Sequence, residues 1–442
     1  MYLSRLRIDG IKGFRGDRAV DLDLTRPDGS HAGWTVLAGR NNSGKTTLLQ
    51  AIAIGLSTPA QAYPLAPDLP SWRSADPGRI ELTVVEPAMP VEADGETYDT
   101  RMVTEASCTW ELPPGRASGR AQVVWRRDSV VDLRPGPTGI TFSDVEWEDM
   151  LHGAVAGFGP YRRMSDTGRG DGRAFVGLFD EDSALTEGIA WLIDAHHRSL
   201  EGRPGTAETV EAVIGLLDDQ LLPTGLRIAG VSADGLAVRS EAEGEEFPLK
   251  EMSQGVRTAV ALAVSLIWEL VRDDPQAWLR HRDGQVVVTR PGIVLIDEID
   301  AHLHVTWQQQ IGYWLKAHFP DVQFLVTTHS PYICQAADPG GLIRLGAPGD
   351  STPPEVVSQE LYQRVVYGSG DDAILSELFG LESPFSPEAD RIRRRAGDLE
   401  AAMMDGEATD AERAEYDELS ARLTSSLSTR AAEVASLIGR HE

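Results

Sequence analysis

The sequence predicts an α/β protein with a parallel core sheet, an antiparallel β subdomain, a helical insertion and a helical C-terminal tail. Three observations carry that expectation. Strands that are apolar throughout, Trp34 to Ala38, Ile293 to Ile296 and Val322 to Val326, alternate with helical segments, as in a parallel sheet covered on both faces. Segments alternating every second residue, Ile80 to Val85, Met102 to Trp110, Ala121 to Trp125 and Ile140 to Trp147, are parted by turn clusters such as Pro113-Pro114-Gly115 and Pro135-Gly136-Pro137. From about Ser351 the chain turns polar and helical.

In chain order, Val20 to Leu24 alternates apolar and acidic residues and reads as a half-buried strand. Trp34 to Ala38 runs straight into a glycine. After the antiparallel region, Leu185 to Leu200 and Ala207 to Leu222 carry apolar residues at helical spacing, and Pro223 closes the second. A hairpin follows at Leu226 to Val231 and Gly235 to Val238, turned by Ser232-Ala233-Asp234-Gly235. Then come a long apolar helix from Val256 to Val271 and an aromatic-rich helix from Val305 to His318. No heptad run or internal repeat argues for a coiled-coil arm. The expected organisation is a head over residues 1–345, with a β-rich lobe at about 75–150 and a helical insertion at about 183–223. A helical C-terminal region over 346–442 would serve as an interaction element.

Composition narrows the classes. With 41% hydrophobic and 25% charged residues, the chain has the profile of a globular protein with a sizeable core. No run of 18 apolar residues suggests a membrane span, and the N-terminal residues lack the apolar stretch of a signal peptide. Cys108 and Cys334 are too few for a disulfide framework and read as small buried residues, so a cytoplasmic location is expected. A net charge of -27 repels phosphate backbones and disfavours a general nucleic-acid coat. The basic clusters Trp125-Arg126-Arg127, Arg162-Arg163 with Arg169 and Arg173, and Arg391 to Arg395 read as solvated faces or ion-pair partners.

Four motifs carry chemistry. Gly39-Arg40-Asn41-Asn42-Ser43-Gly44-Lys45-Thr46 fits a phosphate-binding P-loop, between a strand and an apolar helix. Its glycines let backbone amides point inward at phosphate oxygens, and the helix adds its positive N-terminus. Lys45 would reach the β- and γ-phosphates, and the Thr46 hydroxyl would ligate magnesium. Second, Ile293 to Ile296 ends in Asp297-Glu298 at the C-terminal end of a strand, where ligands bind in doubly wound sheets. Asp297 suits the magnesium shell and Glu298 the polarisation of an attacking water. Third, Met252-Ser253-Gln254-Gly255 opens the long apolar helix. Ser253 is either a plain N-cap or part of an anion site. Fourth, the strand from Val322 runs into Thr327-Thr328-His329, setting a histidine on the same sheet edge.

In this order the four motifs resemble the ABC-type ATPase superfamily of P-loop NTPases, in its SMC/RecF/OLD-like (AAA_21-like) branch. The resemblance implies ATP and Mg2+ as ligands, with Gly39, Asn41, Asn42, Ser43, Gly44, Lys45, Thr46 and Thr47 around the phosphates. It implies that Ser253 and Gly255 form a signature motif that faces the γ-phosphate of a second protomer. Asp300 would be the D-loop residue, and His329 the switch histidine acting with Glu298 and Lys45 in catalysis. Leu6-Arg7-Ile8 and Gly13-Phe14-Arg15 resemble the family's first strand and a loop packed near the nucleotide base. His302 and His304 read as structural. The Q-loop glutamine has no clear counterpart, Gln61 and Gln122 both being open. Gly157 to Arg163 and Ile374 to Leu381 resemble segments of PtuA-like ATPases of Septu and retron antiphage defence systems. That implies a separate HNH-type nuclease partner, since no nuclease motif is recognisable here. The expected function is a head-to-tail ATPase pair regulating such a complex. The alternative is a RecF/SMC-like DNA-repair or chromosome-maintenance ATPase that binds DNA directly. No membrane partner is expected.

Overall fold

The structure, a computed structural model, describes residues 1–86, 89–93, 96–111, 121–134, 140–143, 153–162, 174–232, 235–381 and 383–423. The α/β architecture is the expected one. Its centre is a six-stranded sheet ordered β18-β17-β3-β16-β15-β9. The strands are β3 (Trp34–Ala38), β9 (Ala154–Phe158), β15 (Gly292–Ile296), β16 (Val322–Thr328), β17 (Leu342–Arg344) and β18 (Glu355–Val356). All neighbours are parallel except β17 and β18.

The apolar run of β15 divides between two cores. Val294 and Ile296 join a cluster with Val36, Phe324 and the long helix, while Ile293 and Leu295 join Leu37, Leu325 and the helix after the glycine loop. A strand buried on both faces needs no polar residue on either, hence its unbroken apolar sequence. That first helix, α1 (Lys45–Leu56), is apolar nearly all round. Its second side packs on β4 (Gly78–Val85), where a Cβ on Gly55 would come within 2.5 Å of Leu82 Cδ1.

The second sheet is antiparallel and holds seven strands, ordered β2-β1-β4-β6-β7-β8 with β5 on β6. These are β1 (Tyr2–Asp9), β2 (Val20–Asp23), β5 (Met89–Ala93), β6 (Glu96–Glu111), β7 (Gln122–Arg134) and β8 (Ile140–Ser143). The strands of the lobe do not form a sheet of their own. β4 pairs with β1 from Tyr2↔Val85 to Asp9↔Arg79, so lobe and N-terminus share one sheet. Period-2 patterning reveals strands but not their neighbours.

The short α2 (Pro59–Leu65) lies between α1 and β4, and after the antiparallel strands come α3 (Glu187–Leu200) and α4 (Thr206–Asp218), the expected helical insertion. The hairpin of β10 (Leu226–Ser232) and β11 (Gly235–Ser240) adds β12 (Glu246–Pro248), and its turn residues 233–234 lie outside the described set. A second hairpin, β13 (Leu279–Arg282) with β14 (Gln285–Val288), follows the long helix α5 (Gln254–Val271). α5 is long and apolar enough to cross a membrane, yet from Val256 to Val271 nearly every residue is buried in the core. α6 (Val305–His318) is capped by His304, whose Nδ1 accepts from the Thr306 amide.

The compact first unit runs from Met1 to Phe379 and so takes in residues 346–379 of the region expected to be C-terminal. α7 (Gln359–Tyr367) explains the extension, since Leu361, Tyr362 and Val365 enter the main core. The second unit, Gly380–Glu442, contains α8 (Pro387–Met404) and α9 (Asp410–Arg422). Within it Arg395 pairs with Glu415 at 2.7 Å, Arg391 pairs with Glu388, and Arg393 lies over Phe385, so that basic cluster serves local contacts.

Candidate functional site at the strand ends of the parallel sheet

Parallel strands bring their C-terminal ends to one edge. Thr328 stands beside Ala38, and Ile296 stands between Val326 and Phe158. The residues that follow, Gly39, His329, Asp297 and Gly159, therefore share that edge, as open α/β sheets place their ligands.

The loop after β3 folds as a cradle. Asn42 (φ 62°) and Gly44 (φ 102°) take left-handed conformations, and Gly44 caps α1 with no side-chain hydrogen bond to the helix amides. A Cβ on Gly39 would lie 2.7 Å from the Leu345 carbonyl, and one on Gly44 would lie 2.8 Å from the Phe14 ring. Phe14 is thus buried beneath the loop. Asn41 and Asn42 are exposed, Ser43 is buried with its Oγ unpartnered among the described residues, and Thr46 and Thr47 lie in the first turn of α1. Arg18 braces the loop from behind, donating to the carbonyls of Ser43 (3.0 Å), Gly346 (3.4 Å) and Ala347 (3.2 Å). Gly44→Ala is expected to destabilise the fold by about 2–5 kcal/mol, combining left-handed strain with overpacking. Urea denaturation would show it as a lower midpoint.

Lys45 curls back into the cradle, donating to the carbonyls of Gly39 (2.8 Å) and Arg40 (3.1 Å). Burial pulls its ammonium below the usual range, while Asp297, Glu298 and Asp300 pull it back up. Thr46 Oγ1 donates to Asp297 Oδ2 at 2.8 Å, and Thr327 Oγ1 donates to Asp297 Oδ1 at 2.5 Å. Glu298 is half-buried with φ 46°, and its amide donates to Thr327 Oγ1 at 2.7 Å. Asp300 accepts from Thr328 Oγ1 (2.5 Å) and from the His329 amide (3.3 Å). Burial and then the Lys45 charge lower the His329 pKa, against the pull of Asp300, Glu298 and Asp297.

These groups suit a magnesium–triphosphate. A glycine cradle with an uncapped helix N-terminus favours anions, and a hydroxyl beside a carboxylate is the hard oxygen donor set magnesium takes.

Ser253 stands apart. It is exposed at the N-cap position of α5, but its side chain makes no capping bond, and none joins it to the glycine loop of its own chain. Gly255 packs that helix end on the acidic turn, where a Cβ would lie 2.6 Å from the His302 carbonyl. Gln61 closes a capping box with Thr58, and Gln122 opens β7 opposite Glu111.

Sequence reasoning missed two residues. Arg162, read as part of a solvated or ion-paired cluster, is 4% exposed and donates to the carbonyls of Gly159 (3.0 Å), Asp297 (2.8 Å), Glu298 (2.8 Å) and Ile299 (3.3 Å). Arg163, Arg169 and Arg173 lie outside the described residues. Arg127 is likewise buried and donates to the Ser57 carbonyl, so it is no exposed basic patch. The available signal for Arg162 was its place after Ala154-Val155-Ala156-Gly157-Phe158, a run too short and small-sided to read as the strand it forms. The second is Thr327, a polar residue inside an apolar strand next to the acidic pair.

Two AAA domain models match the chain. AAA_21, whose description also names the AbiEii toxin and type IV toxin–antitoxin systems, covers residues 209–335, and AAA_23 covers residues 5–77. The second contains the glycine loop; the first contains Ser253, Asp297, Glu298 and His329. The Septu protein PtuA of Bacillus thuringiensis is 30% identical over 170 residues, 38% of this chain and 41% of that protein. The Retron Ec83 probable ATPase of Escherichia coli is 43% identical over 88 residues, 20% of this chain and 15% of that protein. The matches thus span less than half the length of either relative. Among solved structures, the Smc head bound to the C-winged helix domain of ScpA aligns over 81% of this chain and 97% of that one, at 17% identity and a TM-score of 0.45. The resemblance to AAA_21-like ATPases and to Septu and retron proteins is borne out by these matches.

Proposed function

We propose that the chain binds and hydrolyses ATP as a head-to-tail pair, each glycine loop facing the Ser253 helix of its twin. The observation that carries the reading is the Thr46–Asp297 hydrogen bond of 2.8 Å beside the buried Lys45. It joins the two motifs that a nucleotide–magnesium site requires. Thr46 and Asp297 are the residues that would hold magnesium. When bound, the ion supplies positive charge against the phosphates. Amides of the Gly39–Thr47 loop and the Lys45 ammonium bind and orient the triphosphate. Glu298 accepts the proton of the attacking water, and His329 donates a hydrogen bond toward the phosphate end.

The hydroxyl of Ser253, which makes no cap bond to its own helix and has no hydrogen bond among the described residues, supports the paired arrangement, because an exposed helix N-terminus without an internal cap is an anion site. Ser253→Arg is expected to abolish ATP-dependent dimerisation while leaving ATP binding to the monomer intact. Light scattering with and without Mg·ATP measures the first, and calorimetric titration measures the second. Mixing the Ser253→Arg and Lys45→Ala proteins should restore partial turnover, since each supplies the half that the other lacks. No recovery on mixing would argue against a shared site.

The similarity to Septu and retron proteins supports a role as the regulatory ATPase of an antiphage defence complex, acting with a nuclease on a separate chain. Co-purification with the product of the neighbouring reading frame tests it. The charge of -27 and the burial of Arg127 and Arg162 weigh against direct DNA clamping. Tight, steeply salt-dependent DNA binding by the isolated chain would reverse that preference.

A further inference from the structure

We propose that Arg162 is a positioning residue for Glu298: its buried guanidinium grips the backbone of the acidic turn and so aims the carboxylate. The inference rests on the ATPase reading above and adds a residue to it.

The turn needs holding. Glu298 adopts φ 46°, a left-handed conformation that a non-glycine residue keeps only when its surroundings over-determine it. Three successive carbonyls, those of Asp297, Glu298 and Ile299, converge on the two terminal nitrogens of Arg162. On the opposite side the Glu298 amide is tied to Thr327 Oγ1. One peptide unit is thus clamped from the carbonyl side by Arg162 and from the amide side by Thr327.

Arg162 is itself anchored. Its Nη1 also bonds the Gly159 carbonyl, and its own carbonyl accepts from Thr258 Oγ1 of α5 at 3.5 Å. Gly159 lies so close to Gly177 that no side chain fits there, since a Cβ would come within 1.7 Å of the Gly177 carbonyl. Burial lowers the Arg162 pKa to about 10, and the nearby Asp297, Asp300 and Glu298 hold it up, so the group stays charged at neutral pH. Only a planar fork spans four carbonyls at once; a lysine ammonium presents its donors from a single atom.

Arg162→Lys and Arg162→Met test the role with three readouts: Kd for Mg·ATP, kcat, and amide hydrogen exchange over residues 297–301. Arg162→Lys is expected to keep its Kd within about threefold of wild type, to lose about tenfold or more in kcat, and to exchange these amides faster. Arg162→Met should lose about a hundredfold in kcat. If it fails to fold, Arg162→Lys decides alone. Wild-type kcat and wild-type exchange in a folded Arg162→Lys protein would overturn the proposal. So would an equal loss of affinity and turnover with unaltered exchange, which would mark a merely structural residue. Should the wild-type protein bind ATP without hydrolysing it, the ATPase reading fails. The exchange comparison still decides whether Arg162 holds the turn.

Discussion

Glu298→Gln is expected to lower ATP turnover by about 10²–10⁴-fold, the range a general base contributes, while ATP and magnesium still bind. The substitution is nearly isosteric. It leaves untouched the bond from the Glu298 amide to Thr327 and the grip of Arg162 on the Glu298 carbonyl, because both involve backbone atoms. What disappears is a carboxylate able to accept a proton from water. If hydrolysis is what separates the paired heads, slowing it should accumulate the ATP-bound dimer. Single-turnover hydrolysis and light scattering in Mg·ATP measure the two effects. Turnover at the wild-type rate would remove Glu298 from the catalytic role.

Lys45→Ala is expected to weaken Mg·ATP binding by about 100-fold or more, since hydrogen bonds to charged groups contribute roughly 1.5–3 kcal/mol each and Lys45 supplies at least two donors. The Lys45 ammonium is already desolvated and pinned to the Gly39 and Arg40 carbonyls, so little further burial or ordering opposes its use on a phosphate. Truncation also strips those carbonyls of their donor. Calorimetric titration should find the loss in affinity, with a melting temperature close to wild type at low nucleotide. A Kd within threefold of wild type would contradict the phosphate role. The two variants separate binding from chemistry: one retains nucleotide and does not turn it over, the other does not retain it.

Local pattern reached the glycine loop and the acidic pair because each is a run of adjacent residues whose geometry is set by its own strand and by the helix or turn that follows it. Helix α6 was legible to the residue, from Val305 to His318, because its apolar spacing and flanking turns are strong. β9 was not, since five small or mixed residues resemble a loop as much as a strand. Missing β9 meant misreading Arg162, whose role depends on the strand that delivers it beside β15.

What the sequence alone determined is the set of short-range features: which segments are strands buried on both faces, where glycine permits the loop, and which carboxylates end a strand. What tertiary structure decided is everything that needs two distant segments. It paired β1 with β4 across some seventy residues, set the Thr46 hydroxyl against Asp297, and buried Arg162 under the acidic turn. The reason is physical. Side-chain periodicity records only which face of an element is buried, whereas a hydrogen bond between residues 46 and 297 exists only after the sheet has fixed the order of its strands.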